Sequence, residues 1–386
     1  MQSKVRVLTL ACSTTMMAQL GVTLYLPVTP DIVDAFGMSD AEGYTALLIY
    51  LGGTAVPLVF AVQLIRFFGR SVVLLGFCGV FFSGSILSIW VHDNDGFYLS
   101  RLLQGIGGGG AALIGRALLT EIYSGARLAK QLSFLSYSFV FAVVVGQLAG
   151  GFLISFFRWE VVAVIMAFGS VITLVLVLLA AGVLSVLDMD RTRRVSCSGY
   201  AGIISRPSFY LPVIVGGCSY GVFVVYQGVG VFVFDVLLGW GSVQYGMLGV
   251  WLGLAYFSGA LTVRYALNFT SVYALSITGS SVLVVATSVF LFTTFGYLDR
   301  QFTVLAYFAA WYAQAMMYPC VASLAVKKYP GMESMMLFSF LQQLVALLFG
   351  TLASLLIPLG TQGVALLALS LGVGALLTVL LSVQED

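Results

Sequence analysis

Arg101 is the residue of greatest chemical consequence in this chain. It opens the run Arg101-Leu-Leu-Gln104-Gly105-Ile-Gly107-Gly108-Gly109-Gly110, inside an otherwise apolar stretch. A guanidinium in apolar surroundings is costly. It marks either a functional charge or a side chain that snorkels to a polar surface. Gly105 and Gly109 have the small-xxx-small spacing that lets a second helix approach closely. The run also spells G-x-G-x-x-G, but no strand precedes it and no βαβ unit surrounds it, which excludes a dinucleotide loop. The remaining chemistry is sparse. His92 is the single histidine, and Cys12, Cys78, Cys197, Cys218 and Cys320 show no metal or redox spacing and read as free thiols. No paired carboxylates, nucleophile elbow or G-x-x-x-x-G-K-[ST] run is present, which argues against an enzyme or a nucleotide-driven pump.

The elements that carry these residues follow from composition. Charged residues are 8% of the 386 and hydrophobic ones 60%, against roughly 25% charged in a soluble domain. A water-soluble chain of this length could not hide so much apolar surface. A spanning helix needs about 20 mostly apolar residues. The sequence predicts twelve, over 7–28, 43–64, 72–91, 97–122, 133–156, 160–184, 209–236, 244–264, 272–295, 303–326, 334–358 and 363–383. The first reads as a retained helix and not a signal peptide, because its core runs too long and no small-residue cleavage site follows.

Loop charge sets the orientation. With the N-terminus cytoplasmic, Lys4, Arg6, Arg66, Arg70, Arg127, Lys130, Arg191, Arg193, Arg194, Arg206, Arg264, Lys327 and Lys328 share one side, 13 of the 17 Lys and Arg residues. Arg158 and Arg300 fall on the other side. This follows the positive-inside rule, supports an even number of spans and places both termini in the cytoplasm. The polar stretch 185–208 then divides the chain into a six-helix bundle at 1–184 and another at 209–386. Two such halves suggest a duplicated transporter with its substrate site near mid-membrane.

Arg101, Gln104, Gly105 and Gly107 resemble the fourth-helix arginine motif of the major facilitator superfamily. The continuation Arg116-Ala-Leu-Leu-Thr-Glu121-Ile-Tyr123-Ser-Gly is similar to the Bcr/CflA branch of drug:proton antiporters, as is Tyr25-Leu-Pro27-Val-Thr-Pro-Asp31-Ile. Gly146-Gln147-Leu-Ala-Gly150-Gly151 resembles the antiporter motif Gly-Pro-x-x-Gly-Gly, with Gln147 in place of the proline. The likeness covers roughly residues 15–160 and thins to Pro319 and Pro330 afterwards. Between the second and third helices the family pattern Gly-x-Leu-x-Asp-Arg-x-Gly-Arg-Arg becomes Val62-Gln63-Leu64-Ile65-Arg66-Phe67-Phe68-Gly69-Arg70-Ser71, so Arg66 replaces the acid. Glu160 stands after Trp159 where the family usually has arginine.

The resemblance implies a cavity lined by the first, fourth, seventh and tenth helices. Carried onto this chain, its substrate-binding residues are Gln19, Thr23, Tyr25, Arg116, Tyr226, Gln227, Trp311, Tyr312 and Gln314. Aromatic walls with a few amides suit an amphipathic ligand, uncharged or weakly cationic. Tyr and Trp also form interfacial belts, which is the competing account of the same residues. Proton antiport needs a group that protonates in one facing state and ionises in the other. The candidates are Asp31, Asp235 and Glu121, with Glu333 weaker; Asp235 also reads as an interfacial carboxylate and Glu121 as a partner of Arg116. Gating and packing fall to Arg70, Arg101, Gly105, Gly109, Gly146, Gly150 and Gly151.

The expectation is an all-α integral membrane protein with twelve transmembrane helices in two six-helix bundles. It would export small amphipathic organic molecules by proton antiport and alternating access. It would act as a monomer in the bacterial inner (plasma) membrane, without cofactor, metal or nucleic acid. Two alternatives stay open: an exporter dedicated to one metabolite such as a siderophore, with Arg116 holding an anionic group, and a transport-dead sensor.

Overall fold

Hydrocarbon offers no hydrogen bonds to peptide groups, so a chain this apolar must close its backbone bonds within each segment. The structure, a computed structural model, describes residues 2–122, 125–189, 206–327 and 332–384, and its regular elements there are all helical. In order they are α1 (Gln2–Thr23), α2 (Thr29–Phe36), α3 (Asp40–Ala55), α4 (Pro57–Phe68), α5 (Arg70–Trp90), α6 (Asn94–Ile122), α7 (Gly125–Leu153) and α8 (Glu160–Met189). They continue as α9 (Pro207–Leu238), α10 (Ser242–Ala266), α11 (Val272–Thr294), α12 (Phe302–Val326), α13 (Met332–Leu356) and α14 (Thr361–Gln384). Among the described residues, 8 helices are each long and apolar enough to cross a membrane. Together the elements make the twelve-helix fold expected from sequence.

Two of the predicted spans are broken, both at proline. The first ends as a helix at Thr23, passes through a tight turn at Leu26–Val28 and resumes as α2. Pro27 and Pro30 start these two pieces, where a missing N–H costs least. The second, expected as one helix over 43–64, divides into α3 and α4. Pro57 has no N–H for the Gly53 carbonyl, which takes the Val56 N–H at 3.3 Å instead.

The chain forms two compact units, residues 1–38 with 49–198 and residues 39–48 with 199–386. In the first, α1 packs on α6, α7 and α8, and α5 packs on α6 and α8. In the second, α9 packs on α12, α13 and α14, and α11 packs on α12 and α14. The same pairing scheme occurs in both units, the structural counterpart of the six-plus-six pattern. α9 is enclosed nearly all round. α8 instead keeps a bare stripe through Val164, Phe168, Val171, Val175 and Leu178, at the spacing of one helix face.

The first unit closes around the glycines of α6. A methyl at Gly105 would collide with the Tyr50 carbonyl, and one at Gly109 with the Thr54 backbone, both on α3. One at Gly107 would strike the Phe81 backbone, and one at Gly110 the Phe77 ring, both on α5. The run is therefore glycine because two neighbouring helices approach α6 to backbone contact on different sides.

In the second unit α3 begins with a reciprocal cap. The Glu42 carboxylate accepts from the Ser39 N–H at 2.7 Å and from Ser39 Oγ at 2.8 Å, while the Glu42 N–H donates to Ser39 Oγ at 3.3 Å. This is the capping-box arrangement. The described cysteines Cys12, Cys78, Cys218 and Cys320 are free thiols, and Cys197 lies outside the described residues.

Three outcomes are expected. Gly105→Ala should cost about 1–3 kcal/mol by overpacking, read as a lower thermal midpoint in detergent. Gly76→Ala, where an added methyl meets nothing within 4 Å, should be neutral or stabilise by up to about 1 kcal/mol. The bonds from Ser39 hold the Glu42 pKa below its ordinary 4.5. The cap's contribution is thus complete above that value and is lost as pH falls through the lower folded pKa. The difference in thermal midpoint between the native protein and Glu42→Gln should vanish on acidification below that range; a difference unchanged with pH would show that the cap is not what Glu42 supplies.

Candidate functional site

The α6 glycines bring α3 close enough for its Tyr50 to reach Arg101. The guanidinium carbon lies 4.1 Å from the Tyr25 ring centroid and 4.6 Å from that of Tyr50, so the cation is held between two aromatic faces. Its two terminal nitrogens donate to Gln104 Oε1 at 2.6 Å and to the Gly21 carbonyl at 2.8 Å. Gln104 passes the network on, donating to Ser85 Oγ at 3.2 Å. Tyr50 is fixed by its own hydroxyl, which donates to the Ala18 carbonyl at 2.5 Å. Arg101 is 2% exposed. Burying a charge costs several kcal/mol after relaxation. Two desolvated cation–π contacts at about 2 kcal/mol each and two charged hydrogen bonds at about 1.5–3 kcal/mol each offset a cost of that order. Of the two sequence readings, snorkelling is excluded: Arg101 is a buried charge held by its neighbours.

The second unit places a different set of groups along the contact of α9 and α12. Tyr307, Trp311 and Gln314 follow one face of α12. Tyr226 stacks on Tyr307 at 4.3 Å with an interplanar angle of 18°, and Phe223 meets Trp311 at 4.6 Å. Gly228 on α9 makes room for the ring of Tyr44, whose hydroxyl lies toward Gly350. Six polar atoms on these two helices and on α3 are buried without a hydrogen-bond partner: the hydroxyls of Tyr44, Tyr226 and Tyr307, Gln227 Nε2, Trp311 Nε1 and Gln314 Oε1. Each such atom costs about 1–3 kcal/mol if left unmet. Buried polar groups in native structures ordinarily find a partner, so these atoms are candidates for bonding to another molecule.

The other predicted residues are distributed as follows. Thr23 is buried, its hydroxyl directed to the carbonyls of Ala142 and Gln19 at 3.0 and 3.1 Å. Gln19 keeps its Nε2 unpartnered, and Gln147, 0% exposed, has both amide ends unpartnered. A methyl at Gly146 would meet Thr23, and one at Gly150 the Leu24 carbonyl, so the antiporter-like motif serves as the contact of α7 with the first span; Gly151 is buried beside them. Tyr312 donates to Thr262 Oγ1 at 3.0 Å. Arg116 is exposed and its Nε donates back to the Ala112 carbonyl at 3.3 Å. Asp235 is exposed at the end of α9, whereas Asp31 is half-buried in the first turn of α2. Arg70 is buried at the start of α5. The side chains of Glu121, Glu333 and Arg66 lie outside the described residues. Arg158 pairs with Glu160 at 2.9 Å, although Arg158 is 84% exposed.

Sequence reasoning missed Tyr50, Tyr44, Tyr307 and Gly228. The spacing Tyr307-x-x-x-Trp311-x-x-Gln314 is a readable one-face pattern, and Ser39-x-x-Glu42 is a readable capping box. Nothing in the sequence pairs Tyr50 with Arg101. Among the described residues, no group of three or more His, Cys, Asp or Glu is placed to hold a metal.

The sequence model of the Major Facilitator Superfamily matches residues 11–353. The chain belongs to this family. It is a multi-pass membrane transporter and not an enzyme. Among curated proteins it is 28% identical over 140 residues to "Multidrug resistance protein MdtL" of Klebsiella pneumoniae, covering 36% of each chain. It is also 28% identical over 187 residues to the protein of that name from Citrobacter koseri, covering 48% of this chain and 45% of the relative. The match thus spans less than half the length of these relatives. Among solved structures, a D-xylose-proton symporter superposes with a TM-score of 0.79 at 13% identity, covering 98% of this chain and 97% of that one. That likeness is one of fold. The major facilitator resemblance of the Arg101 run is borne out.

Arg101→Lys in this superfamily member keeps the charge but loses the planar fork that lies against two rings. It should lower stability by about 1–3 kcal/mol, and Arg101→Ala by more, measured as thermal midpoints of the purified protein. Equal midpoints for all three would show that the cage does not hold the first unit together.

Proposed function

We propose that this transporter exports small amphipathic organic molecules across a bacterial inner membrane by proton antiport, with alternating exposure of its substrate site to the two sides. The observation that carries the reading is the seam of rings and unpartnered polar atoms on α9 and α12, set in a chain of this family. The printed name of the relatives, a multidrug resistance protein, supports the substrate class. Ring faces bind flat apolar bodies and the amides and hydroxyls fix their polar ends. The chain works as a monomer with both termini cytoplasmic, built from the bundles 1–184 and 209–386 joined through 185–208. Of the two described coupling candidates, Asp31 is the less exposed, and a carboxyl sheltered from water is the better proton carrier.

Transport into sealed inverted vesicles under an imposed proton gradient tests this. Several unrelated amphipaths should accumulate only while the gradient lasts. Asp31→Asn should cut gradient-driven uptake at least tenfold, and Asp235→Asn should leave it near the native rate. Uptake of a single anionic metabolite, lost in Arg116→Ala, would replace the reading with a dedicated exporter. Gradient-independent binding with no uptake of any compound would overturn it in favour of a sensor.

A further inference from the structure

The groups left unpartnered on α9 and α12, and Tyr44 of α3 against Gly228, are all uncharged. Trp311 Nε1 is the most telling of them. An indole N–H can only donate, and here it is 1% exposed with no acceptor. Gln227 Nε2 adds a second donor, the hydroxyls of Tyr44, Tyr226 and Tyr307 serve either way, and Gln314 Oε1 is the one obligate acceptor. No side chain of α12 carries a charge from Phe302 to Val326, and the one acid of α9 is the exposed Asp235.

The first unit shows what this protein uses to hold a buried cation. Arg101 has two ring faces and also two acceptor oxygens in direct contact. The seam repeats the rings but offers one amide oxygen, Gln314 Oε1, and sets two obligate N–H donors, Trp311 Nε1 and Gln227 Nε2, against it. A cation there would meet the positive ends of N–H dipoles.

We infer that the α9–α12 seam takes an uncharged, ring-bearing molecule that presents hydrogen-bond acceptors, and that it discriminates against organic cations. This narrows the substrate class of the exporter reading and depends on it for its role in transport, but not for binding.

The test is equilibrium binding to the full chain in lipid nanodiscs with three probes of similar size. N-benzylacetamide is neutral with a carbonyl acceptor, benzyltrimethylammonium is a cation, and n-butylbenzene is neutral without an acceptor. N-benzylacetamide should bind at least tenfold more tightly than the cation. Trp311→Phe keeps a ring against Phe223 and removes the N–H; it should weaken N-benzylacetamide about tenfold and leave n-butylbenzene unchanged. Should that variant not fold, Gln227→Met removes the other donor and is expected to act in the same direction. Equal binding of cation and amide, an amide affinity indifferent to the loss of the donor, or failure of all three probes to bind would overturn the inference. In the vesicle assay, uptake of cations alone would overturn it while leaving the exporter reading standing. Donor-dependent amide binding without any uptake would uphold it and remove the exporter reading.

Discussion

A full positive charge inside an apolar bundle must be answered by other groups of the bundle, and the first unit is arranged around that requirement. The cation of Arg101 needs Tyr50 on one face and Tyr25 on the other. Tyr50 can come within reach only because α3 and α6 touch through Gly105 and Gly109. The Gly21 carbonyl can accept from the guanidinium only because the first span lies on α6 as well. Charge, rings and small residues are therefore one device. Removing any part leaves a buried guanidinium short of partners, which costs more than the contact itself is worth.

The second unit repeats the helix pairings of the first but inverts the logic of its polar groups. In the first unit the donor-rich group is satisfied internally, by an amide oxygen and a carbonyl. In the second, donors and acceptors are assembled between α9 and α12 and left open. Similar helix pairings thus carry different polar groups in the two units, although the first also leaves Gln19 Nε2 and both amide ends of Gln147 unpartnered.

The architecture was legible because its signals add up along the chain: twelve apolar stretches, and a loop charge that alternates with them. The family was legible from Arg101, Gln104 and the glycines. Helix rotation was not, since segments that are apolar all round carry no periodic mark of their inner face. Tyr44 and Tyr50 show the difficulty. They lie six residues apart on α3, yet one fills the space over Gly228 in the second unit and the other covers Arg101 in the first. The breaks at Pro27 and Pro57 were readable as prolines but not as boundaries, because proline in a membrane helix bends as often as it divides. The unpartnered atoms of the seam belong to no sequence pattern at all; they are defined by what the neighbouring side chains fail to supply.

Beyond Tyr25, toward the end of α6 where it begins, the rings of Phe36, Phe97 and Trp159 pack on one another at 5.4 to 5.7 Å, with Phe97 6.4 Å from Tyr25. This lid separates the guanidinium from bulk electrolyte. Mobile ions weaken attractions between charges they can surround, over about 8 Å at physiological strength, and here they have no route in. The attractions that hold this guanidinium are accordingly screened little by salt, whereas the pair of Arg158, 84% exposed, and Glu160 just outside the lid is screened more. A cell whose surroundings swing between dilute and saline water would find this charge equally well held in both.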